Sequence, residues 1–249
     1  MVVRPRAAHI VAAVALLLPA VPALARGKKP RVRYEDARTP RASATYAAMT
    51  KSACEKELKT RKIAFASAGV VKGVTAPVRL KGALAGVTFS TGLPEKERAT
   101  STAEIYDCRL VLSLHDWAKL LAKHGIDEVR TINAYRPEPS AGAEGKAAVR
   151  HPAGLAVDVK ALGKKPSKEG GARTWLTVET DFRARIGDKV CDEKARSRLP
   201  AAARELRAIV CETDVAATFT SILTPGYDRA HRDHLHLEIR PGVEWSMLL

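Results

Sequence analysis

The chain has 249 residues, a formal charge of +15 at pH 7 and only 5% aromatic residues. A charge of that size favours acidic partners. Single-stranded nucleic acid calls for aromatic stacking platforms among the basic groups, so the charge points instead to an anionic envelope surface or to a merely solvated exterior.

At the amino terminus, Arg4 and Arg6 precede the apolar run IVAAVALLLPAVPALA, and Ala23-Leu24-Ala25 places small residues ahead of Arg26. This is the pattern of a secretory signal peptide over 1–25, cleaved near Ala25. Pro19 and Pro22 interrupt the run, which is shorter than the roughly 20 apolar residues of a spanning helix. Cleavage takes away two arginines and no acid, so the charge falls by two to +13. No later stretch is long and apolar enough to span, and a periplasmic or secreted monomer is expected.

Residues 26–50 are basic and punctuated by proline, which reads as a flexible lead-in. Residues 51–249 suit one domain with a proper core. Four cysteines, Cys54, Cys108, Cys191 and Cys211, follow the cleavage site with no CxxC among them, so an exported chain should hold them as two disulfides. Of the three pairings, Cys54 with Cys108 and Cys191 with Cys211 is favoured, because each closes one local half of the chain. Four free, buried thiols are the alternative.

In chain order, TYAAMTKSACEKELKTRK predicts a helix over 45–62, and LHDWAKLLAKHG predicts another with Leu114, Trp117, Leu120 and Leu121 on one face and Gly125 as its stop. VRTINAY, AGLAVDVK and HLHLEIR alternate apolar positions as strands do. PAAARELRAIVCE, opened by Pro200, is helical with Leu206, Ile209 and Val210 available for burial. The expected fold is α+β: a small antiparallel sheet flanked by helices.

In the last strand, His234, His236 and Glu238 share one face while Leu235, Leu237 and Ile239 share the other. A hydrated edge would explain that row alone. A second segment, RHPAGLAVDVK, sets His151 seven residues before Asp158, with Gly154 able to make a tight turn and Ala156 leaving space beside the carboxylate. His151, Asp158 and His236 together offer two nitrogens and one oxygen, the three-ligand pattern of a catalytic zinc site with an open fourth position. Other divalent ions suit the same donors. Asp233 lies close enough in sequence to accept a proton from a water there, and Arg136 could stabilise an oxyanion. The bland readings are a loop acid for Asp233, a solvated His231 and a strand-end ion pair for Arg136. No GxSxG nucleophile elbow and no phosphate loop occurs.

These motifs resemble a known family. HPAGLAVD fits HxxGxAxD, and DHLH supplies both an HxH and an acid-x-x-His, as in the zinc D-Ala-D-Ala carboxypeptidase and murein endopeptidase superfamily. LTPGYDRAHRDHLHLE and the four cysteines bring the chain nearer to the extensin-like carboxy-terminal domain family, with the likeness running over 52–244. The resemblance implies a zinc-peptidase-like fold and one Zn2+ per chain on His151, Asp158 and His236. It implies Asp233 as the proton acceptor, His234 beside the reacting water, His231 as an outer histidine and Arg136 on a substrate carbonyl or carboxylate. Where the superfamily often has a serine two places before the first ligand, this chain has Val149, which weighs against dipeptide-type carboxypeptidase activity. The implied activity is a zinc amidohydrolase (metallopeptidase) cutting stem peptides or cross-bridges of peptidoglycan. The alternative is a non-catalytic, metal-stabilised wall-binding module.

Overall fold

The computed structural model describes residues 42–137, 150–166, 168 and 170–249. The signal-peptide segment, most of the expected lead-in and Val149 lie outside the described residues.

The chain opens with two helices, α1 (Ala42–Ala47) and α2 (Lys51–Thr60). A single helix over 45–62 was expected. The helix breaks because Thr50 is extended and caps α2, its side chain accepting from Ala53 N. The helix α1 falls inside the expected lead-in, yet Tyr46 and Ala47 are buried in the core. Tyr46 also bonds to Asp116, and Arg61 bonds to both. The folded unit therefore begins earlier than 51.

Next come β1 (Phe65–Ser67), β2 (Pro77–Leu80), β3 (Thr88–Ser90), the short α3 (Glu95–Arg98), β4 (Tyr106–Asp107) and the long α4 (Cys108–Lys123). Asp107 caps α4 through Arg109 N, which starts the helix six residues before the expected Leu114. Gly125, at φ +70°, turns the chain after it into β5 (Ile126–Thr131). A 3-10 turn at His151–Ala153 precedes the nine-residue β6 (Ala156–Lys164), followed by β7 (Thr174–Thr177), α5 (Val178–Asp181), α6 (Glu193–Arg196) and α7 (Ala201–Val215). Pro200 stands at the N-cap of α7, one place outside the helix. The chain closes with β8 (Ser221–Leu223), β9 (Leu235–Glu238) and β10 (Met247–Leu248).

The architecture is α+β, as expected, but the expected small antiparallel sheet is only part of it. A three-stranded antiparallel sheet runs β1-β2-β4, and a seven-stranded sheet runs β10-β8-β9-β6-β5-β3 with β7 also on β6. Its centre is antiparallel, whereas β3 joins β5 and β10 joins β8 in parallel. These edge strands are two or three residues long. Such short strands show no alternation, and their direction is set by the connections that deliver them.

Helix α4 lies at the heart of the core. Leu110, Leu114, Trp117 and Leu121 are buried along it, Trp117 packs between Phe89 and Phe219, and its indole N–H donates to Thr213 on α7 at 2.9 Å. From the sheet, Val157, Val159, Leu235 and Leu237 enter the same cluster. Cys54 pairs with Cys108 and Cys191 with Cys211, the favoured arrangement, tying α2 to the start of α4 and the loop before α6 to α7. No cysteine is free. Chain-entropy reasoning assigns such loops about 3–4 kcal/mol each.

Candidate metal centre

Strands β6 and β9 pair antiparallel with Val157 opposite Leu237 and Asp158 opposite His236. Because side chains alternate, the pair that sends Val157 and Leu237 into the core sends Asp158 and His236 together to the other face. His236 Nδ1 lies 3.0 Å from Asp158 Oδ1. Both residues are buried.

His151 arrives from a different kind of structure. Gly154, at φ +64°, closes the 3-10 turn, and a Cβ there would sit 2.8 Å from the backbone nitrogen of Asp107. The same nitrogen donates to Gly154 O at 2.8 Å. Only glycine suits both the left-handed conformation and that approach. Asp107 is fully buried and bonded to Arg109, whose Nη1 donates to Ala47 O. The turn carrying His151 is thus moored to the N-cap residue of α4, which is followed directly by the disulfide-bonded Cys108.

His151 Nε2 stands 3.2 Å from both Asp158 Oδ1 and His236 Nδ1, and the three side chains could together hold a metal ion. The protonation states favour one. His151 Nδ1 is 2.9 Å from Ala134 O; a carbonyl can only accept, so Nδ1 carries a proton and Nε2 presents a lone pair. His236 lies between two carboxylates, its Nε2 3.1 Å from Glu238 Oε2 and its Nδ1 3.0 Å from Asp158 Oδ1; with Nε2 donating to Glu238, Nδ1 faces inward as an acceptor. Three acceptors then converge with room for a cation. Their 3.0–3.2 Å spacing compares with the roughly 3.3 Å edge of a tetrahedron built on zinc–nitrogen bonds. Burial pushes the His236 pKa down, but Asp158 and Glu238 more than offset that and hold it above its ordinary value. Burial likewise raises Asp158, yet the imidazoles of His151 and His236 beside it keep its carboxyl far below the usual range.

Around this group stand the other residues that the sequence singles out. His234 Nε2 lies 3.5 Å from Asp158 Oδ1, while its Nδ1 bonds to Asp233 Oδ1 at 2.8 Å. Of the two expected acid–base residues it is therefore His234 that meets the triad, with Asp233 behind it, its side chain 41% exposed. The His234 hydrogen bond lowers the Asp233 pKa, keeping it a carboxylate. His231 is held by Asp228 at 2.7 Å, with its ring 5.2 Å from that of His234 and 5.8 Å from that of His236. Arg136 is exposed, and its backbone N–H donates to His151 O.

Three contributors were not foreseen. Asn133 donates from Nδ2 to Asp158 Oδ2 at 3.3 Å, and its backbone carbonyl accepts from Asp158 N. Ala134 supplies only a carbonyl, which no side-chain pattern reveals. Glu238 was placed on the correct face of its strand, but its bond to His236 depends on rotamers.

An α+β domain with two disulfides and a buried His-Asp-His group able to hold a metal ion is what fold and site define. Residues 48–247 match the family described as Extensin-like protein C-terminus, and the chain belongs to that family. No curated protein and no solved structure matches it. No helix among the described residues is long and apolar enough to cross a membrane, and the two disulfides fit an oxidising compartment outside the cytosol.

Proposed function

We propose that this chain is an exported zinc-dependent amidohydrolase acting on the peptide stems or cross-bridges of peptidoglycan, released by signal-peptide cleavage near Ala25 and built on a zinc D-Ala-D-Ala carboxypeptidase-like fold. The observation that carries the reading is the convergence of two imidazole nitrogens and a carboxylate oxygen within 3.2 Å of one another, each held in place by a partner behind it. Two nitrogens and one oxygen suit zinc with an open position. A divalent ion bound there supplies Lewis acidity toward a water and an amide carbonyl.

The chain's own residues supply the rest. His234 Nε2, beside Asp158, takes a proton from the attacking water and later returns it to the leaving amine. Asp233 holds His234 Nδ1–H, fixing the ring and stabilising its charged form, so the two residues share the base role. Arg136, exposed next to His151, meets the carbonyl or a carboxylate of the stem.

The test is release of new amino or carboxyl termini from purified peptidoglycan by zinc-loaded protein, with a chelator control. Hydrolysis abolished by the chelator is the expected outcome. Protein that holds zinc and binds the wall but opens no amide in any stem or cross-bridge is a wall-binding module instead.

A further inference from the structure

Glu238 is 1% exposed, and a buried carboxylate carries a heavy desolvation cost unless it is paired. Strand register gives it a place. Its neighbours across the sheet are Ala156 on β6 and Ser221 on β8, both small and buried, so its side chain has room beside His236 two positions earlier. Its Oε2 lies 3.1 Å from His236 Nε2 and 3.2 Å from Arg150 Nε. Arg150 in turn is the residue before His151, in a backbone conformation rare for a non-glycine residue, φ +58° and ψ −137°. Its carbonyl accepts from both Ala153 N and Leu155 N, so this conformation belongs to the turn that presents His151.

We infer that Glu238 is a positioning residue for the metal centre: it keeps the His236 proton on Nε2, so that Nδ1 is presented to the ion beside His151 and Asp158, and Arg150 offsets its charge. The inference rests on the reading of the triad as a metal centre. Ala134 O performs the corresponding task for His151 from the backbone, and Asn133 does so for Asp158. A carbonyl can be supplied by any residue, but the imidazole on a central strand has its backbone neighbours committed to the ladder, so a side chain must do the work. Arg150 joins both halves of the site, by chain to one imidazole ligand and by side chain to the acid that orients the other.

The protonated nitrogen can be read directly by long-range proton–nitrogen NMR on histidine-labelled protein, metal-free and then cadmium-loaded, while zinc affinity is measured by chelator competition for wild type, Glu238→Gln and Glu238→Ala. His236 should carry a proton on Nε2 in both states and couple to cadmium through Nδ1. Glu238→Ala should weaken zinc binding roughly 10–100-fold, and Glu238→Gln, which keeps an acceptor oxygen, should lose less. Neutral His236 protonated on Nδ1, cadmium coupling through Nε2, or wild-type zinc affinity in a folded Glu238→Ala each overturns the inference. If wild type holds no zinc, the metal reading fails, while the His236 tautomer in metal-free protein still decides what Glu238 does. If Glu238→Ala does not fold, the wild-type spectra decide.

Discussion

Asp158 and His236 are direct neighbours across β6 and β9, with Cα positions in register and side-chain atoms 3.0 Å apart. Two-thirds of the candidate metal centre is therefore built by strand pairing, in the middle of the sheet, while His151 alone depends on a turn. Substitutions at these three positions should differ in kind.

Zinc-loaded protein dialysed against metal-free buffer is expected to retain about one zinc per chain. His236→Ala should lose metal and activity together, since it removes a ligand from the sheet. His151→Ala leaves two ligands and should also release the metal, while the strand pairing of β6 and β9 persists. Elemental analysis with circular dichroism checks both, and unchanged metal content in His151→Ala would place the ion elsewhere.

Asp233→Asn keeps size and polarity but no longer stabilises a charged His234. Turnover on peptidoglycan fragments should fall by roughly 10² fold or more, toward the 10⁴ fold at the upper end for lost acid–base catalysis, with zinc content unchanged. His234→Gln should fall at least as far, because His234 is the residue that meets the triad. Equal turnover in Asp233→Asn and wild type, beside an inactive His234→Gln, would assign the base to His234 alone.

Gly154→Ala tests the turn. A methyl group there meets the Asp107 nitrogen at 2.8 Å and must also adopt φ +64°, a strain on the order of 1–3 kcal/mol. Melting temperature should drop by several degrees, and zinc affinity should weaken as His151 shifts. A variant with wild-type melting and wild-type affinity would mean that the turn yields freely.

Glu104 offers a pH test away from the site. Burial raises its pKa, but Arg98 and the Thr91 N–H and hydroxyl outweigh that, and its carboxyl lies below the ordinary value. A folded pKa below the unfolded one means stability that is present above the unfolded value of about 4.3 and is lost as pH falls through the folded one. Denaturant titrations of wild type and Glu104→Gln should differ by about 1–3 kcal/mol at neutral pH, and the gap should close as the solution is taken below about pH 4. A gap that persists at low pH would assign the difference to packing.

Much of this protein was legible before folding. Alternation in HLHLE put His236 and Glu238 on one face, the two motifs named His151 and Asp158, and an even cysteine count with no CxxC implied both disulfides. Each is a local regularity or a count, which a linear string carries in full. What needed three dimensions was whatever depends on which segments meet. The parallel edges β3 and β10 follow from the paths of their connections, and the role of α1 in the core follows from Tyr46 reaching Asp116, 70 residues away. The order of Asp233 and His234 around the triad was hidden too. DHLH names Asp233 and His234 side by side, but only the bend of the loop into β9 turns the imidazole toward Asp158 and leaves the carboxylate behind it. Ala134 O, Asn133 and Glu238 became visible for the same reason: a hydrogen bond between residues far apart in sequence, or between rotamers on one strand, is set by packing, and packing exists only once the chain has closed on itself.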